Sequence, residues 1–196
     1  MSAISSSPRL TGEIPTNVDH ALVTAMVDMN ARFAGLLSNR PDLPSIPLFL
    51  RASGPGFCLH DPLRQYDRRT ARLLAWVHEV GATRDQADGD DLVHFDFHTA
   101  NVLVGPESKR ITGIVDWDGA GRGDRRLDLV TLRFDVARRA PDELPWLDEV
   151  LAETLPQDRL RAYWAHMSLR HVDWSIRHHT SADVDFWLGV VEPGLK

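Results

Sequence analysis

The sequence predicts an α+β fold in which helices predominate. Three observations lead to this prediction: helical patterns precede residue 81, three short strand-like segments lie between residues 92 and 117, and helical patterns return after residue 125. Because the strands are few and short, they are too small to form a core sheet. We therefore expect the β unit to be a platform for loops on a mostly helical body.

The first half of the chain predicts two helices joined by a long connection. The first begins at Thr16 or Asn17, either of which can cap it, and ends near Leu37. The proline-rich stretch RPDLPSIPLFLRASGPGF at 40–57 cannot continue a helix and predicts a surface connection. The second helix is expected over 62–80, and its buried side is predicted to contain Leu63, Tyr66, Leu73, Leu74 and Val77.

The strand-like segments are Leu92–Phe95, Asn101–Val104 and Ile111–Trp117. The turn residues GPESKR between the last two predict a hairpin. Beyond it, breaks at APDELP and LPQD divide the remaining chain into several helices. The predicted packing anchors of these helices are Trp146, Trp164, Trp174 and Trp187.

Composition and charge narrow the classes of function. The formal net charge of −6 and the pI near 5.8 argue against a nucleic-acid partner and suit a small cationic ligand. No run of about 18 apolar residues and no leader pattern occurs, so we expect no membrane association. Cys58 is the single cysteine, which excludes an internal disulfide. These features predict a soluble, cytoplasmic protein.

Polar side chains converge at the ends of the predicted strands. In the stretch LVHFDFHTANVLV at 92–104, Asp96 lies where the first strand ends and Asn101 opens the second. Asp116 ends the third strand. Two carboxylates and one amide oxygen are hard ligands of the kind that suit Mg²⁺ shared with phosphate.

A zinc site is the alternative interpretation of the same stretch. His94, Asp96 and His98 occupy alternate positions, and an extended strand would place all three on one face. That arrangement would favour a metal-dependent hydrolase. We favour instead a buried His94 that binds the backbone and holds the loop in shape, because no second ligand motif accompanies these residues.

The segments HFDFHTAN and IVDWDGAGRGDRRLDL, in this order and spacing, resemble the catalytic and metal-binding segments of the aminoglycoside phosphotransferase family. This family is the small-molecule branch of the protein-kinase-like fold, and the resemblance implies that Asp96 is the catalytic aspartate. Asn101 and Asp116 look like the ligands that hold Mg²⁺ and ATP, and Asp118 is a weaker third candidate. The implied structural supports of the site are His94, His98 and Asp128.

Two other residues of these segments, Phe95 and Asp124, are predicted to have structural roles. The family often has a glycine where this chain has Phe95, and we expect this ring to alternate out of the strand and pack on the helical body. Asp124, in GRGD, is predicted to be a turn or cap residue.

The resemblance covers residues 9–190 but only the C-terminal lobe of the kinase-like fold. We expect a flexible N-terminus at 1–8, followed by this lobe over 9–196. The only lysines, Lys109 and Lys196, both follow the catalytic segment, and neither a P-loop nor a G-x-G-x-x-G is present. The N-terminal, ATP-clamping lobe is therefore predicted to be absent from this sequence.

Two functional hypotheses follow from these observations. The first is an ATP-dependent phosphotransferase that acts on a hydroxyl of a small molecule. The second is a catalytically inactive lobe that binds a small molecule or a protein. In either case, the face left by the absent lobe, near 9–15 and 92–104, is expected to be apolar and to favour self-association or a partner.

The acceptor is not specified by the sequence. Acidic residues of the helical C-terminal part either hold the ammonium groups of an amino sugar or form a solvated surface. Aminoglycoside resistance is thus one option beside choline-like, macrolide-like and homoserine-like acceptors. The acidic residues are Asp142, Glu143, Asp148, Glu149, Glu153, Asp183 and Asp185.

Overall fold

The computed structural model describes residues 11–106 and 110–195. The N-terminus predicted to be flexible, both lysines and part of the hairpin turn lie outside these residues. Within them the α-helices are α1 His20–Ala31, α2 His60–Tyr66, α3 Arg68–Gly81, α4 Arg126–Arg139, α5 Leu144–Thr154, α6 Gln157–His178 and α7 Ser181–Val191. None of the helices in the described ranges is long and apolar enough to cross a membrane.

The strands of the described chain form three small antiparallel pairs. They are β1 Ile46–Pro47, β2 Gln86–Ala87, β3 Asp91–Val93, β4 Val102–Val104, β5 Ile111–Ile114 and β6 Gly121–Gly123. The pairs are β1 with β2, β3 with β6, and β4 with β5. The predicted α+β class with a small β platform is confirmed, and the predicted hairpin is β4–β5.

Strand β6 was not predicted from the sequence. Its residues, Gly-Arg-Gly, lack the β-branched and aromatic side chains that indicate a strand. The glycines are required by close packing, because a Cβ on Gly123 would lie 2.6 Å from the carbonyl oxygen of Ala87. Tertiary contact, rather than intrinsic preference, therefore places this segment beside β3.

The two predicted N-terminal helices differ from those observed. Helix α1 begins at His20, and its cap is Asp19, whose carboxylate accepts from the amide of Leu22 at 3.0 Å. The predicted cap at residue 16 or 17 and the predicted end near residue 37 are wrong. The second predicted helix is divided into α2 and α3 at Asp67, which forms a capping box with Thr70. Tyr66, predicted to be buried, ends α2 and is exposed.

The connection at 40–57 is not wholly on the surface. Leu48 and Leu50 are completely buried on either side of Phe49, which has a left-handed backbone with φ 56°. Their amides donate to the carbonyl oxygen and a carboxylate oxygen of Asp85 at 3.0 and 2.6 Å. Because these polar groups are paired, the segment can enter the core.

Helix α6 lies at the centre of the helical body and packs against α2, α3, α4 and α7. Two hydrophobic clusters surround this arrangement, and the segment after β3 contributes Phe95 to one and Phe97 to the other. Trp187 is buried as predicted. Trp174 is 46% exposed, so its prediction as a packing anchor is wrong.

Candidate active site

The loop that joins β3 to β4, residues 94–101, carries the central residues of the site. His94 is completely buried, its Nε2 donates to the carbonyl oxygen of Val115 at 2.9 Å, and its Nδ1 accepts from the amide of Asp96 at 3.3 Å. Burial lowers the pKa of His94, which keeps the imidazole neutral as these two bonds require. The ring thus ties the loop to the end of β5.

The zinc arrangement does not form. Strand β3 ends at Val93, so His94, Asp96 and His98 are not on one face of an extended strand. Both ring nitrogens of His94 are already used by the backbone. In the two described ranges, no group of three or more His, Cys, Asp or Glu side chains could hold a metal ion.

Asp128, in the first turn of α4, lies directly beneath the loop. Its carboxylate is completely buried and accepts from the amides of His94 and Phe95 at 2.7 and 2.8 Å. Burial raises the pKa of Asp128 to about 7, and the two amide donors oppose this shift. A helix of the body thereby fixes the backbone just before Asp96.

Phe95 does not alternate out of the strand as predicted. It lies beyond the strand in the left-handed region, with φ 72°, and its ring is buried in the hydrophobic core. A glycine adopts this conformation without strain. This geometry is the physical reason that a glycine is suitable at this position, and it shows that the chain holds a phenylalanine there under strain.

Asp96 projects from the strained turn with both carboxylate oxygens engaged. Oδ1 accepts from the Arg170 guanidinium at 2.8 Å, and Oδ2 lies 3.3 Å from Asn101 Nδ2 and 3.4 Å from His98 Nε2. Burial would raise the pKa of Asp96, but His98 and Arg170 outweigh it and lower the pKa to about 2. The carboxylate is therefore charged and oriented.

His98 completes the inner side of the loop. Its Nδ1 accepts from the amide of Ala100 at 3.2 Å, which leaves Nε2 to donate towards Asp96. The hydrogen bond with Asp96 raises the pKa of His98. The imidazole therefore links the carboxylate to the short 3₁₀ turn Thr99–Asn101.

Asn101 lies at the end of this turn, in contact with Asp96. Its Nδ2 donates to the carbonyl oxygen of Asp96 at 2.9 Å, so the amide oxygen is directed away from this contact. The carbonyl oxygen of Asn101 accepts from the amide of Val115 at 2.9 Å. The structure therefore brings Asn101 beside the backbone that leads into Asp116.

Asp116 and Asp118 lie on the turn that follows β5. Asp116 has a left-handed backbone with φ 64°, and both carboxylates are exposed. Across the described parts of the chain, neither carboxylate makes a hydrogen bond or ion pair. The turn passes over Phe95, since a Cβ on Gly119 would lie 3.2 Å from that ring.

The residues present fit a magnesium ion. An amide oxygen of Asn101 and an unpaired, exposed carboxylate of Asp116 at the same end of the β4–β5 hairpin are hard oxygen donors. Mg²⁺ is commonly held by one or two protein carboxylates together with phosphate oxygens and water, and does not need a full cage of protein ligands.

Two cavities lie near the site, one at the far end of β4 and one beside the loop. The first, of about 250 Å³, lies between the segment 13–17, the start of α1 and the end of β4 at 104–106. Glu13 pairs with Val104 through two backbone hydrogen bonds of 3.0 and 2.9 Å, so the segment is held against the hairpin. Ile14, beside this pairing, is 53% exposed.

The second cavity, of about 260 Å³, opens beside Asp96. Its walls come from the loop, one face of α4, one face of α6 and the Trp187 ring of α7. Charged groups of both signs line it: Asp96 and Asp135 oppose Arg138 and Arg170. Asp135 accepts from the amide and the hydroxyl of Thr99 at 2.9 and 2.6 Å.

The acidic residues expected to attract a cation lie elsewhere. Asp148 pairs with Arg133, Asp183 with Arg138 and Asp185 with Arg69, and none of the predicted acidic set lines the cavity beside Asp96. Asp135 and Arg170 were not predicted from the sequence. A signal existed for Asp135, which is seven residues after Asp128 on the same helical face, whereas no local pattern marks Arg170.

Asp124 is more than the turn or cap residue predicted. It is 1% exposed, and its carboxylate accepts from Arg126, Arg159 and the Tyr163 hydroxyl. It also accepts from the backbone amide of Arg126 at 3.1 Å, as a cap does. The residue thus joins the start of α4 to α6 through a buried ion network.

Comparison with solved structures shows the fold. A thermostable mutant of aminoglycoside phosphotransferase APH(4)-Ia aligns over 89% of this chain with a TM-score of 0.65 and 18% identity. Choline kinase LicA from Streptococcus pneumoniae aligns over 93% with a TM-score of 0.55 and 11% identity. The chain therefore has the helical, loop-bearing part of the fold of protein-kinase-like phosphotransferases.

Sequence comparison defines the family. The model of the phosphotransferase enzyme family APH matches residues 7–165, and this chain belongs to that family. An aminoglycoside 3'-phosphotransferase of Streptomyces ribosidificus is 36% identical over 106 residues, which is 52% of this chain and 34% of the relative. The chain spans 64% of the length of the first structure described above.

Proposed function

We propose that the protein transfers a phosphoryl group from a Mg²⁺-bound nucleoside triphosphate to a hydroxyl of a small molecule. One observation carries the proposal: the charged, oriented Asp96 contacts Asn101 on one side and lines a cavity on the other. A relative solved with ADP and hygromycin B, similar over 65% of this chain at a TM-score of 0.52, supports nucleotide use and a small acceptor.

Asp96 orients the acceptor hydroxyl and accepts its proton as the phosphoryl group moves. Its low pKa makes it a weak base, so its main contribution is to fix the direction of attack. Proton transfer late in a loose, metaphosphate-like reaction is compatible with a weak base, because the hydroxyl becomes acidic as the new bond forms.

Asn101 and Asp116 would hold Mg²⁺, with the Asp118 carboxylate as a further oxygen donor two residues along the chain. The bound ion would supply positive charge that neutralises the transferred phosphate. Asn101 also donates to the Asp96 carbonyl, so the group that holds the metal and the group that orients the hydroxyl share one rigid loop. His94, His98 and Asp128 support this loop.

The acceptor is a compact molecule with few positive charges. The cavity presents two carboxylates and two guanidinium groups, so it offers little net attraction to a polycation. Asp135 supplies one site for a single ammonium or hydroxyl group, while Trp187 and Met167 supply apolar surface. Amino alcohols and lightly charged sugars suit this arrangement better than a heavily aminated one.

Calorimetric titration of the 196-residue chain with ATP tests the proposal. We expect micromolar binding that requires Mg²⁺ and that Asp116→Asn loses, while Asp142→Asn, an exposed charge change outside the loop, leaves it intact. An acceptor screen with Asp96→Asn follows, for which turnover should fall about 10²–10⁴-fold.

The second hypothesis is a lobe that binds a small molecule without catalysis. It requires only the cavity beside Asp96 and no residue that holds phosphate. Absence of ATP binding at millimolar concentration, together with measurable binding of a small amino alcohol that Asp135→Asn weakens, would favour that hypothesis over phosphoryl transfer.

A further inference from the structure

The Arg170 side chain makes an unusually complete set of contacts with the loop. Nη1 donates to the carbonyl oxygen of Phe95 at 2.7 Å, and Nη2 donates to Oδ1 of Asp96 at 2.8 Å. The side chain is 23% exposed. One guanidinium therefore binds two successive residues of the loop, one through the backbone and one through the carboxylate.

Two aromatic rings hold the same guanidinium. Its Cζ atom lies 5.6 Å from the centroid of the Phe57 ring and 5.5 Å from that of Phe95. The two rings contact each other edge to face at 5.9 Å.

The segment that carries Phe57 is itself shaped for this contact. Phe57 packs edge to face against Phe49 at 5.3 Å, and both Phe49 and Cys58 have left-handed backbones, with φ 56° and 54°. Such conformations persist in non-glycine residues only where the surrounding structure enforces them. The end of the connection at 40–57 therefore does more than join two helices, since Phe57 contributes an aromatic ring that packs against the guanidinium.

We propose that Arg170 is a positioning residue for phosphoryl transfer, which fixes the strained Phe95–Asp96 backbone and holds Oδ1 of Asp96. The other carboxylate oxygen, Oδ2, then meets the acceptor hydroxyl beside Asn101 and His98. This inference rests on the proposed function. It assigns to Arg170 no contact with the reacting atoms.

An arginine is needed for this role because its planar fork can bind a carbonyl and a carboxylate at once. A lysine at position 170 supplies the charge but only a single donor group, which cannot reproduce the fork or its packing against two rings. Arg170→Lys therefore separates positioning from charge. Arg170→Met removes both and keeps most of the apolar volume.

The experiment compares the full chain with Arg170→Lys, Arg170→Met and the control Arg161→Met, which removes from the same helix an arginine whose hydrogen-bond partner is Glu79 and not the loop. Amide ¹⁵N relaxation of residues 95–98 measures the order of the loop without any need for activity. Order parameters should fall from about 0.85 to below about 0.6 in both Arg170 variants and should not change in the control.

Steady-state kinetics provide the second measurement. In both Arg170 variants kcat should fall about 10–100-fold while the KM for ATP stays within about twofold, because the metal-holding residues are untouched. If Arg170→Lys retains both the order parameters and kcat, positioning by Arg170 is refuted. If the unmodified chain transfers no phosphate, the proposed function fails, and the relaxation comparison alone decides whether Arg170 orders the loop.

Discussion

Replacing Asp128 by alanine tests how the helical body supports the loop. The carboxylate is completely buried and pairs with the amides of His94 and Phe95, so its removal leaves two buried donors without partners. Each unpaired donor costs about 1–3 kcal/mol. We therefore expect Asp128→Ala to reduce the free energy of unfolding by roughly 4 kcal/mol, about twice the cost of one such donor.

Urea denaturation followed by tryptophan fluorescence measures this change, with Asp135→Ala as the matched control. Asp135 also accepts two hydrogen bonds, but it lies seven residues further along α4 and is only half-buried. Water can replace the lost partner there, so the expected cost is about 1 kcal/mol. Equal effects of the two substitutions would refute the argument that buried amides make Asp128 important.

Three further substitutions give different expected outcomes. Phe95→Gly relieves the left-handed backbone but removes a buried ring, so it should destabilise by about 2 kcal/mol, less than Phe97→Gly, as judged by the same denaturation. Asp124→Asn should cost about 3 kcal/mol because it breaks a buried ion network. Burial opposes the shift, but Arg126 and Arg159 lower the pKa of Asp124, so the carboxylate stabilises the fold above its unfolded pKa. That contribution to stability is lost as pH falls through the lowered pKa of Asp124. The free energy of unfolding, measured at decreasing pH, should therefore fall less in Asp124→Asn than in the unmodified chain. Trp174→Ala should change stability by less than about 0.5 kcal/mol, since the ring is exposed, and a shift comparable to that of Trp187→Ala would contradict this.

The location of the site could be predicted because its signals are local. Asp96 and Asn101 bracket a short loop between two apolar segments, and the hairpin that follows returns the chain to Asp116. This arrangement depends on the lengths of the loop and the hairpin and not on how the helices pack. The residue pattern also predicted a buried His94, and the family resemblance implied Asp128 as a support of the loop. The structure shows hydrogen bonds of both residues with the backbone.

Other elements depend on contacts that local patterns do not reveal. The apolar periodicity continues across Asp67, so one helix was predicted, although the capping signal from Asp67 to Thr70 was present in the sequence. Strand β6 consists of glycine and arginine and is held by close packing against Ala87. Arg170 is separated from Asp96 by 74 residues along the chain, and only the packing of α6 brings them together.

The sequence Phe95-Asp96-Phe97 explains why stability and the site are coupled. The two rings are buried in different hydrophobic clusters, so the aspartate between them is fixed by both parts of the body. A left-handed phenylalanine is unfavourable by itself, yet here the amide bonds to Asp128, the ring packing and the Arg170 guanidinium all require the same backbone conformation. A substitution that loosens either cluster therefore releases the strain at Phe95. We expect it to displace the Asp96 carboxylate before the fold itself is lost.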